Sequence, residues 1–282
     1  MFFAGILFLL NVFAWQEAFY LSGADNLKVY FLDVGQGDAV FIETPQSHQI
    51  LIDGGPNSMI IEKLQYLIPP LDKTIDLVIL THPEKDHMQG LIDVLQRYKV
   101  DYVLWTGVLR QTPEYQKWVE VLNKQQEQGA KIIIAYAQKS VSASGAKINI
   151  LYPLEDLSGQ ELKDSNDSSA VFSLVFGKNE FLFTGDITSK TEKSLLSGED
   201  NLKSDVLKVS HHGSKYSTSD YFLDNANPWL AVISVGKENT YGHPTPEVLQ
   251  RLEKFGIKVL RTDNDGDIKI VSDGENIRAY KK

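Results

Sequence analysis

Residues 77–91, LVILTHPEKDHMQGL, determine which fold the sequence predicts. The apolar run LVIL is typical of a short strand that is buried on both faces. Two imidazoles and two carboxylates follow it within six positions, at His82, Glu84, Asp86 and His87. Because strands of α/β proteins present their functional residues just beyond their carboxyl ends, we expect the chemistry of the protein to lie here.

These four polar side chains predict a metal site. Burying charges without partners is costly, and no neighbouring residue neutralises two carboxylates and two imidazoles. A divalent cation would neutralise them. The sequence contains no cysteine, so imidazole and carboxylate groups have to hold any transition metal.

Other polar side chains also stand where apolar runs end. They are Asp53 in ILIDGG, Asp186 in FLFTGD, His211 and His212 after VLKVS, and His243 in YGHP. Taken singly, each has a structural alternative, since Asp53 could shape a turn and Asp186 could cap a helix. The histidines could equally be satisfied residues at a strand end or in a loop. Their recurrence at strand ends favours one shared site, and we interpret the remaining histidine, His48, as a solvated surface residue.

The composition is that of a folded globular protein. The chain has 282 residues, of which 43% are hydrophobic and 23% are charged, which is enough for a substantial core. Its formal net charge of -9 argues against a protein whose main activity is nonspecific binding to nucleic acid. A nucleic acid that is cleaved and released needs only a local basic path.

The first 24 residues form a separate hydrophobic segment. Residues 1–15, MFFAGILFLLNVFAW, contain only Asn11 as a polar side chain. This length lies between a signal-peptide core and a membrane span. A cleavage site at residues 22–24 and a buried core helix are the alternatives. We expect a membrane anchor or uncleaved signal at residues 1–24, and a hydrolase domain at residues 25–282 outside the cytoplasm.

Short apolar strands alternate with helix-length segments in both halves of the chain. Strand patterns include KVYFLDV, AVFIET and QILIDGG in the first half, and KINILYP, EFLFTGD and LAVISVG in the second. Two sheets that are each covered by helices on the outer side fit this pattern most economically. We therefore predict an α/β fold, built as an αββα sandwich with a short N-terminal hydrophobic segment.

Several motifs carry a resemblance to a known family. THPEKDH resembles the HxHxDH signature of the metallo-β-lactamase fold, with Glu84 at the place of the second histidine. Six motifs in order resemble the hydrolase domain of the bacterial DNA-uptake competence proteins of the ComEC type, namely FLDVGQGDAVFIET, ILIDGGP, THPEKDHMQG, FLFTGDI, LKVSHHGSK and NTYGHP. The resemblance covers residues 28 to about 270 and is specific, because a single short motif would support much less.

The resemblance implies one or two divalent metal ions, manganese or zinc. The implied ligands are His82, Glu84, Asp86, His87, Asp186 and His211. No histidine lies between His87 and His211, so the third-motif histidine of the superfamily is missing and a polar loop with Asn166 stands in its place. Glutamate at position 84 and this missing histidine shift the expected site toward oxygen ligands, so we expect more activity with Mn²⁺ than with Zn²⁺. We also expect Glu84→His to move that preference toward zinc.

The expected reaction is attack of hydroxide, formed from metal-activated water, on a phosphodiester. The residues assigned to catalysis are Asp86, His212 and His243, of which either histidine is a candidate proton donor to the leaving oxygen. The residues assigned to the substrate are Ser214, Lys215 and Asn166, with Lys208 as a further phosphate contact. Asp53 and Asp38 are expected behind the ligands on the same edge of the fold.

The sequence thus favours a metal-dependent nuclease or phosphodiesterase that acts on DNA, in single-stranded form, outside the cytoplasm. The membrane, through the N-terminal segment, and a DNA-uptake channel protein are the expected partners. One alternative is a metal-dependent hydrolase of another ester or amide, because fold does not determine substrate. The other is a non-catalytic DNA-handling module beside a membrane channel, against which the negative net charge weighs.

Overall fold

The computed structural model describes residues 25–198 and 201–281, together with Asn11. The predicted anchor or signal at residues 1–24 therefore lies outside the described residues, apart from that single asparagine. Within the described part of the chain, no helix combines the length and the apolar character that crossing a membrane requires.

Between residues 25 and 134, the chain forms six strands and three α-helices. The strands are β1 (Leu27–Phe31), β2 (Val40–Glu43), β3 (Gln49–Ile52), β4 (Thr74–Leu80), β5 (Lys99–Trp105) and β6 (Lys131–Ile134). The helices are α1 (Met59–Leu67), α2 (Lys85–Arg97) and α3 (Pro113–Glu127). Strands β3 to β6 run parallel, whereas β1 to β3 run antiparallel.

The second half forms a second sheet and then returns to the first. Its strands are β7 (Ser140–Ala143), β8 (Ala146–Tyr152), β9 (Val171–Phe176), β10 (Asn179–Phe183), β11 (Val206–Lys208), β12 (Leu230–Ile233) and β13 (Lys258–Arg261). Its helices are α4 (Ser189–Leu196), α5 (Asp220–Ala226), α6 (Pro246–Lys254) and α7 (Thr262–Asp265). The last strands, β14 (Ile268–Ser272) and β15 (Ile277–Lys281), extend the first sheet beside β1.

Two sheets result, with the strand orders β15-β14-β1-β2-β3-β4-β5-β6 and β13-β12-β11-β10-β9-β8-β7. Apolar side chains from both sheets, such as Phe31 and Phe183, form one core between them. A second core, with Leu64, Leu91 and Trp118, packs helices α1 to α3 on the outer face of the first sheet. A third packs helices of the second half on the other sheet. The predicted α/β architecture with two sheets is confirmed.

Helix α2 and the loop after β3 touch backbone to backbone. Gly54 N donates to His87 O at 2.8 Å, and Gly90 N donates to Gly55 O at 2.9 Å. A Cβ atom at Gly90 would lie 1.9 Å from Gly54 O, so only glycine fits there. This contact sets the position of the first turn of α2, which carries Asp86 and His87.

Candidate metal centre

Most of the polar side chains singled out in the sequence meet at one edge of the two sheets. The segments that carry them follow the carboxyl ends of β3, β4, β10 and β11. Strands β3 and β4 are parallel, as are β10 and β11, so each pair delivers its following loops to the same edge. The sandwich then brings the two pairs of loops together.

Four side chains form the central cluster, which consists of Asp86, His87, Asp186 and His212. Each offers one ligand-type atom, and these atoms all lie within 4.8 Å of one another. His87 Nε2 is 3.4 Å from Asp186 Oδ2. His212 Nε2 is 3.2 Å from Asp86 Oδ2 and 3.4 Å from Asp186 Oδ2. All four are residues that the sequence singles out.

His82 lies directly beside the central cluster. Its ring centroid is 4.2 Å from that of His87, and its Nδ1 is 3.1 Å from Thr81 Oγ1. The pKa of His82 is lowered to about 3, because burial disfavours the charged ring and the neighbouring His87 repels it. The ring is therefore neutral at physiological pH, which is the form that binds a metal ion.

Asp53 fixes the orientation of His87. Its carboxylate accepts hydrogen bonds from Thr81 N at 2.8 Å, from Thr81 Oγ1 at 2.7 Å and from His87 Nδ1 at 2.8 Å. With Nδ1 committed to this carboxylate, the other ring nitrogen of His87 faces the central cluster. Such carboxylate–histidine pairs orient metal ligands in many proteins. The structure thus places Asp53 behind the ring of His87, on the side of Nδ1.

The turn after β11 separates the two adjacent histidines. His211 and His212 both have left-handed backbone angles, with φ of 50° and 52°. This turn directs His212 into the central cluster, where its Nδ1 bonds to Ser234 O at 2.8 Å. His211 instead packs against the ring of His243, with centroids 5.7 Å apart. The sequence predicts His211 as a ligand and His212 in proton transfer, whereas in the structure it is His212 and not His211 that belongs to the central cluster.

Glu84 points away from the central cluster. Its carboxylate pairs with Arg110 Nη2 at 2.7 Å and accepts a hydrogen bond from Ser165 Oγ. The planar guanidinium is a strong partner for a carboxylate, and it holds Glu84 on the loop side of the site. The structure therefore differs from the sequence prediction that Glu84 is a metal ligand. Arg110 carried no motif signal that could have indicated this contact.

Asp38 and Lys208 lie on the far side of Asp186. Lys208 Nζ pairs with Asp38 Oδ2 and lies 4.0 Å from Asp186 Oδ1. Asp38 Oδ1 is also 3.3 Å from His212 Nδ1. Both side chains are buried, so this ion pair is shielded from water. The sequence analysis placed Asp38 near the site but did not foresee its pairing with a buried lysine.

The remaining predicted residues lie outside the central cluster. His243 is half-buried and its ring is stacked with Tyr241, with centroids 6.0 Å apart. Ser214 is buried, while Lys215 is exposed with its Nζ 5.3 Å from the Tyr216 ring centroid. Asn166 lies in a short 3-10 turn, Ser165–Ser168, and its N–H bonds to Asp164 Oδ1.

Ser169 is a site residue that the sequence analysis missed. It follows the polar loop that stands in place of the missing histidine, and it is fully buried. Its Oγ accepts a hydrogen bond from Asp186 N at 3.0 Å, which fixes the backbone beside the aspartate. A lone serine in a polar loop gives no signal in the sequence.

Opposite charges at the central cluster shift one another's pKa. Burial lowers the pKa of His212, but the carboxylates of Asp186 and Asp38 outweigh it and raise that pKa to about 10. Burial opposes ionisation of Asp186, yet the charges of His212 and His87 hold the pKa of this carboxyl well below its usual range. Without an ion, the protonated ring of His212 balances the ionised carboxylate of Asp186, and an ion that binds His212 has to replace this proton.

Unpaired ligand atoms indicate that the residues fit a metal ion. Among the described residues, His82 Nε2, His87 Nε2 and Asp186 Oδ1 are buried and lack a hydrogen-bond partner. Buried polar atoms are nearly always paired, because leaving them unpaired is costly. All three belong to residues of the central cluster or to His82 directly beside it. Imidazole nitrogen and carboxylate oxygen together suit zinc and manganese, so the donor set fits a divalent ion.

The position of Glu84 leads to a prediction about metal affinity. Glu84→Gln is expected to change the Mn²⁺ affinity by less than about threefold, because the carboxylate contacts Arg110 and not the central cluster. Asp86→Asn is the matched control and is expected to weaken binding by about tenfold or more, since it removes a charge from the ligand set. Isothermal titration of Mn²⁺ into the two variants measures both. A tenfold loss for Glu84→Gln would return this residue to the ligand set.

The chain is similar to a known sequence family and to proteins of several bacteria. A sequence profile described as the metallo-beta-lactamase superfamily matches residues 32–237. The chain is 33% identical over 259 residues to ComE operon protein 3 of Bacillus subtilis (strain 168), covering 86% of this chain and 32% of that protein. It is 31% identical over 242 residues to competence protein ComA of Neisseria gonorrhoeae, covering 84% and 31%. The chain thus spans about a third of the length of these relatives.

Comparison with solved structures supports the fold. The metallo-beta-lactamase fold protein YhfI from Bacillus subtilis is similar with a TM-score of 0.54 at 13% identity, covering 84% of this chain and 96% of that one. A long form RNase Z from yeast is similar with a TM-score of 0.56 at 14% identity, covering 90% and 42%. At such low identity, these likenesses concern the fold alone.

Proposed function

The chain belongs to the metallo-beta-lactamase superfamily, and on this basis we propose that it is a metal-dependent phosphodiesterase that cleaves single-stranded DNA outside the cytoplasm. The observation that carries the proposal is the central cluster, with its buried and unpaired ligand atoms at the meeting edge of the two sheets. The relationship to competence proteins at about 30% identity supports DNA as the substrate.

The proposed ligands of the ion are His82, Asp86, His87, Asp186 and His212. A bound divalent ion supplies a Lewis acid and makes water a nucleophile at neutral pH. With Glu84 outside this set and His212 inside it, three imidazoles balance two carboxylates. Zinc and manganese therefore both suit the site, and the earlier reason to prefer manganese is weaker.

The chain's own residues hold the reacting groups in place. Asp53 fixes His87 through the 2.8 Å hydrogen bond to Nδ1, and Ser169 fixes the backbone of Asp186. His243 is proposed to move a proton at the leaving oxygen, because its half-buried ring packs against His211 next to the central cluster and imidazole exchanges protons in the physiological pH range. Lys215 is exposed beside the site and is proposed to contact a phosphate.

A series of rings leads from the central cluster to solvent. The ring of His212 meets that of His211 at 6.2 Å, and the ring of His243 continues the series. Tyr241 ends it, lying nearly parallel to His243 at an interplanar angle of 15° with 70% of its surface exposed. Aromatic side chains next to an active site stack with the bases of single strands, whose faces are free. We propose that Tyr241 stacks with a nucleobase next to the cleaved bond.

The setting of the enzyme is also a proposal. Residues 1–24 would hold the domain at the membrane, with the site on the outer side and a DNA-uptake channel protein as neighbour. This rests on the hydrophobic run in the sequence and on the competence relatives, of which the chain spans only about a third.

One experiment separates the proposed function from its alternatives. The purified protein is supplied with Mn²⁺ or Zn²⁺ and tested on a single-stranded oligonucleotide, on bis(p-nitrophenyl) phosphate and on a lactam. We expect hydrolysis of the first two, loss of activity with a chelator, and no hydrolysis of the lactam. Hydrolysis of the lactam alone would favour another hydrolase. Binding of the oligonucleotide without hydrolysis of any substrate would favour a DNA-handling module.

The role of Tyr241 leads to a prediction about substrate affinity. Tyr241→Ala is expected to raise KM for the oligonucleotide by about tenfold, because one base–aromatic stack contributes roughly 1–3 kcal/mol. Hydrolysis of bis(p-nitrophenyl) phosphate should stay unchanged, since that substrate has no base. Tyr241→Phe keeps the ring and should behave as the wild type. Tyr280→Ala, at an exposed tyrosine on β15, is the control for loss of a surface ring. An equal rise in KM for both substrates would contradict base stacking.

A further inference from the structure

We propose that the ammonium group of Lys208 takes the place of a second metal ion, so that the site binds a single divalent ion per chain. The proposal rests on the proposed function, because it concerns the same metal site. It gives a role to a buried cation that the reaction scheme above does not use.

The position of Lys208 in β11 directs its side chain into the site. Val206 belongs to the core between the sheets, whereas Leu207 belongs to the core under the outer helices. Because side chains alternate along a strand, Lys208 faces the inter-sheet side like Val206. It is only 2% exposed, and a buried ammonium is costly unless it is paired. The nearby carboxylates of Asp38 and Asp186 therefore stabilise the buried ammonium of Lys208.

The two carboxylate oxygens of Asp186 face different groups. Oδ2 lies 3.4 Å from both His87 Nε2 and His212 Nε2, on the side of the central cluster. Oδ1 lies 4.0 Å from Lys208 Nζ and has no hydrogen-bond partner among the described residues. A carboxylate that joins two metal ions would also face one ion with each oxygen. Here the ammonium stands on the side where the second ion would be.

A second group of ligand-type atoms exists, but most of these atoms already form hydrogen bonds or an ion pair within the protein. It consists of Asp38, Asp53 and His87, which lie within 4.8 Å of one another. Asp53 accepts hydrogen bonds from Thr81 and from His87 Nδ1, so that ring nitrogen carries a proton and is not a free ligand. Asp38 is paired with Lys208. Asp38 Oδ1 is buried without a hydrogen-bond partner, but it lies 3.3 Å from His212 Nδ1. The imidazole nitrogens His82 Nε2 and His87 Nε2, which also lack a hydrogen-bond partner, lie instead at the central cluster.

Repulsion between cations also disfavours a second metal ion at this place. A divalent ion next to Asp38 and Asp186 would have to displace the Lys208 ammonium or lie close to it in a buried site. Water screens charges poorly there, so the repulsion between such cations is strong. One ion and one ammonium therefore satisfy the carboxylates without a second ion.

The test is the number of ions bound per chain, read without any substrate. The full chain is stripped with a chelator and titrated with Mn²⁺, and bound ions are counted by calorimetry and by the electron paramagnetic resonance of free Mn²⁺. We expect one ion per chain at saturation, with the spectrum of an isolated ion. Two bound ions in the wild type would overturn the proposal.

Two variants test whether Lys208 is the cause. Lys208→Met keeps the approximate length but removes the charge, and it is expected to bind a second ion beside Asp38 and Asp186. Lys208→Arg keeps the charge and is expected to bind one. A folded Lys208→Met that still binds one ion would overturn the role of Lys208. If that variant does not fold, Lys208→Gln, which can still donate a hydrogen bond to Asp38, replaces it in the same test.

The outcome is independent of the proposed reaction. A wild type that binds one ion but hydrolyses no phosphodiester would contradict the proposed function and leave this proposal standing. A wild type that hydrolyses the diester with two bound ions would do the reverse.

Discussion

Replacing His87 by alanine is expected to abolish measurable binding of Mn²⁺ and to lower the hydrolysis of a phosphodiester by at least about a thousandfold, because a catalytic ion contributes several kcal/mol. His87 stands between two functions of the site. Its Nε2 is 3.4 Å from Asp186 Oδ2, and its Nδ1 bonds to Asp53 at 2.8 Å. Alanine removes a proposed ligand and leaves the buried carboxylates of Asp53 and Asp186 without this partner. Metal content and rate are measured on the purified variant.

Two further variants serve as controls, one with no expected effect and one with an intermediate loss. His48→Ala removes a histidine that is 44% exposed and pairs with Asp76 on the surface, so metal content and rate should not change. Asp53→Asn keeps the shape of the side chain but weakens its hold on His87, and a loss of about 10–100-fold is expected. Full metal occupancy and full activity in His87→Ala would refute the assignment of the metal site.

Gly90→Ala is expected to lower the free energy of unfolding by about 3 kcal/mol, at the upper end of the usual range for overpacking. The added Cβ would lie 1.9 Å from Gly54 O and 2.8 Å from Asn57 O, and both are backbone atoms that no side-chain rotation can move. Helix propensity alone predicts the opposite sign, because alanine in a helix is favoured over glycine by about 1 kcal/mol. Urea unfolding measures the change.

The control for Gly90→Ala is Gln89→Ala at the preceding position of the same helix. Gln89 is partly exposed, so its replacement should alter stability by less than about 0.5 kcal/mol. Metal affinity should fall in Gly90→Ala as well, because α2 carries Asp86 and His87 in its first turn. A stabilised Gly90→Ala would show that α2 can move away from the loop, and that the contact does not position the site.

Strand-end patterns in the sequence indicated most of the residues at the metal site. Asp53, His82 and Asp186 each follow an apolar run, and parallel strands deliver such residues to one edge. The choice between His211 and His212 could not be made from sequence, because it depends on two left-handed residues in one turn. Neighbouring positions in such a turn point in different directions without any difference in residue type.

Long-range partners account for the other differences. Glu84 occupies a ligand position of the motif, but Arg110, from the segment after β5, draws its carboxylate away. Lys208 finds its partner Asp38 in the opposite half of the chain. The pairing of β14 with β1 could not be predicted from the sequence either, because pairing between segments far apart in the chain leaves no local pattern. Strand β15 then pairs with β14 at the edge of the same sheet.

The central cluster draws on both sheets, since Asp86 and His87 follow β4 whereas Asp186 and His212 follow β10 and β11. A bound ion is therefore a removable cross-link between the two halves of the chain. With free ion at 100 times Kd, binding to the folded state alone adds about 2.7 kcal/mol to the free energy of unfolding. The same free energy opposes any opening motion that separates the two sheets at this edge and releases the ion. Backbone amides in loops far apart in sequence should then slow their exchange with solvent together, as one cooperative unit, when the ion binds.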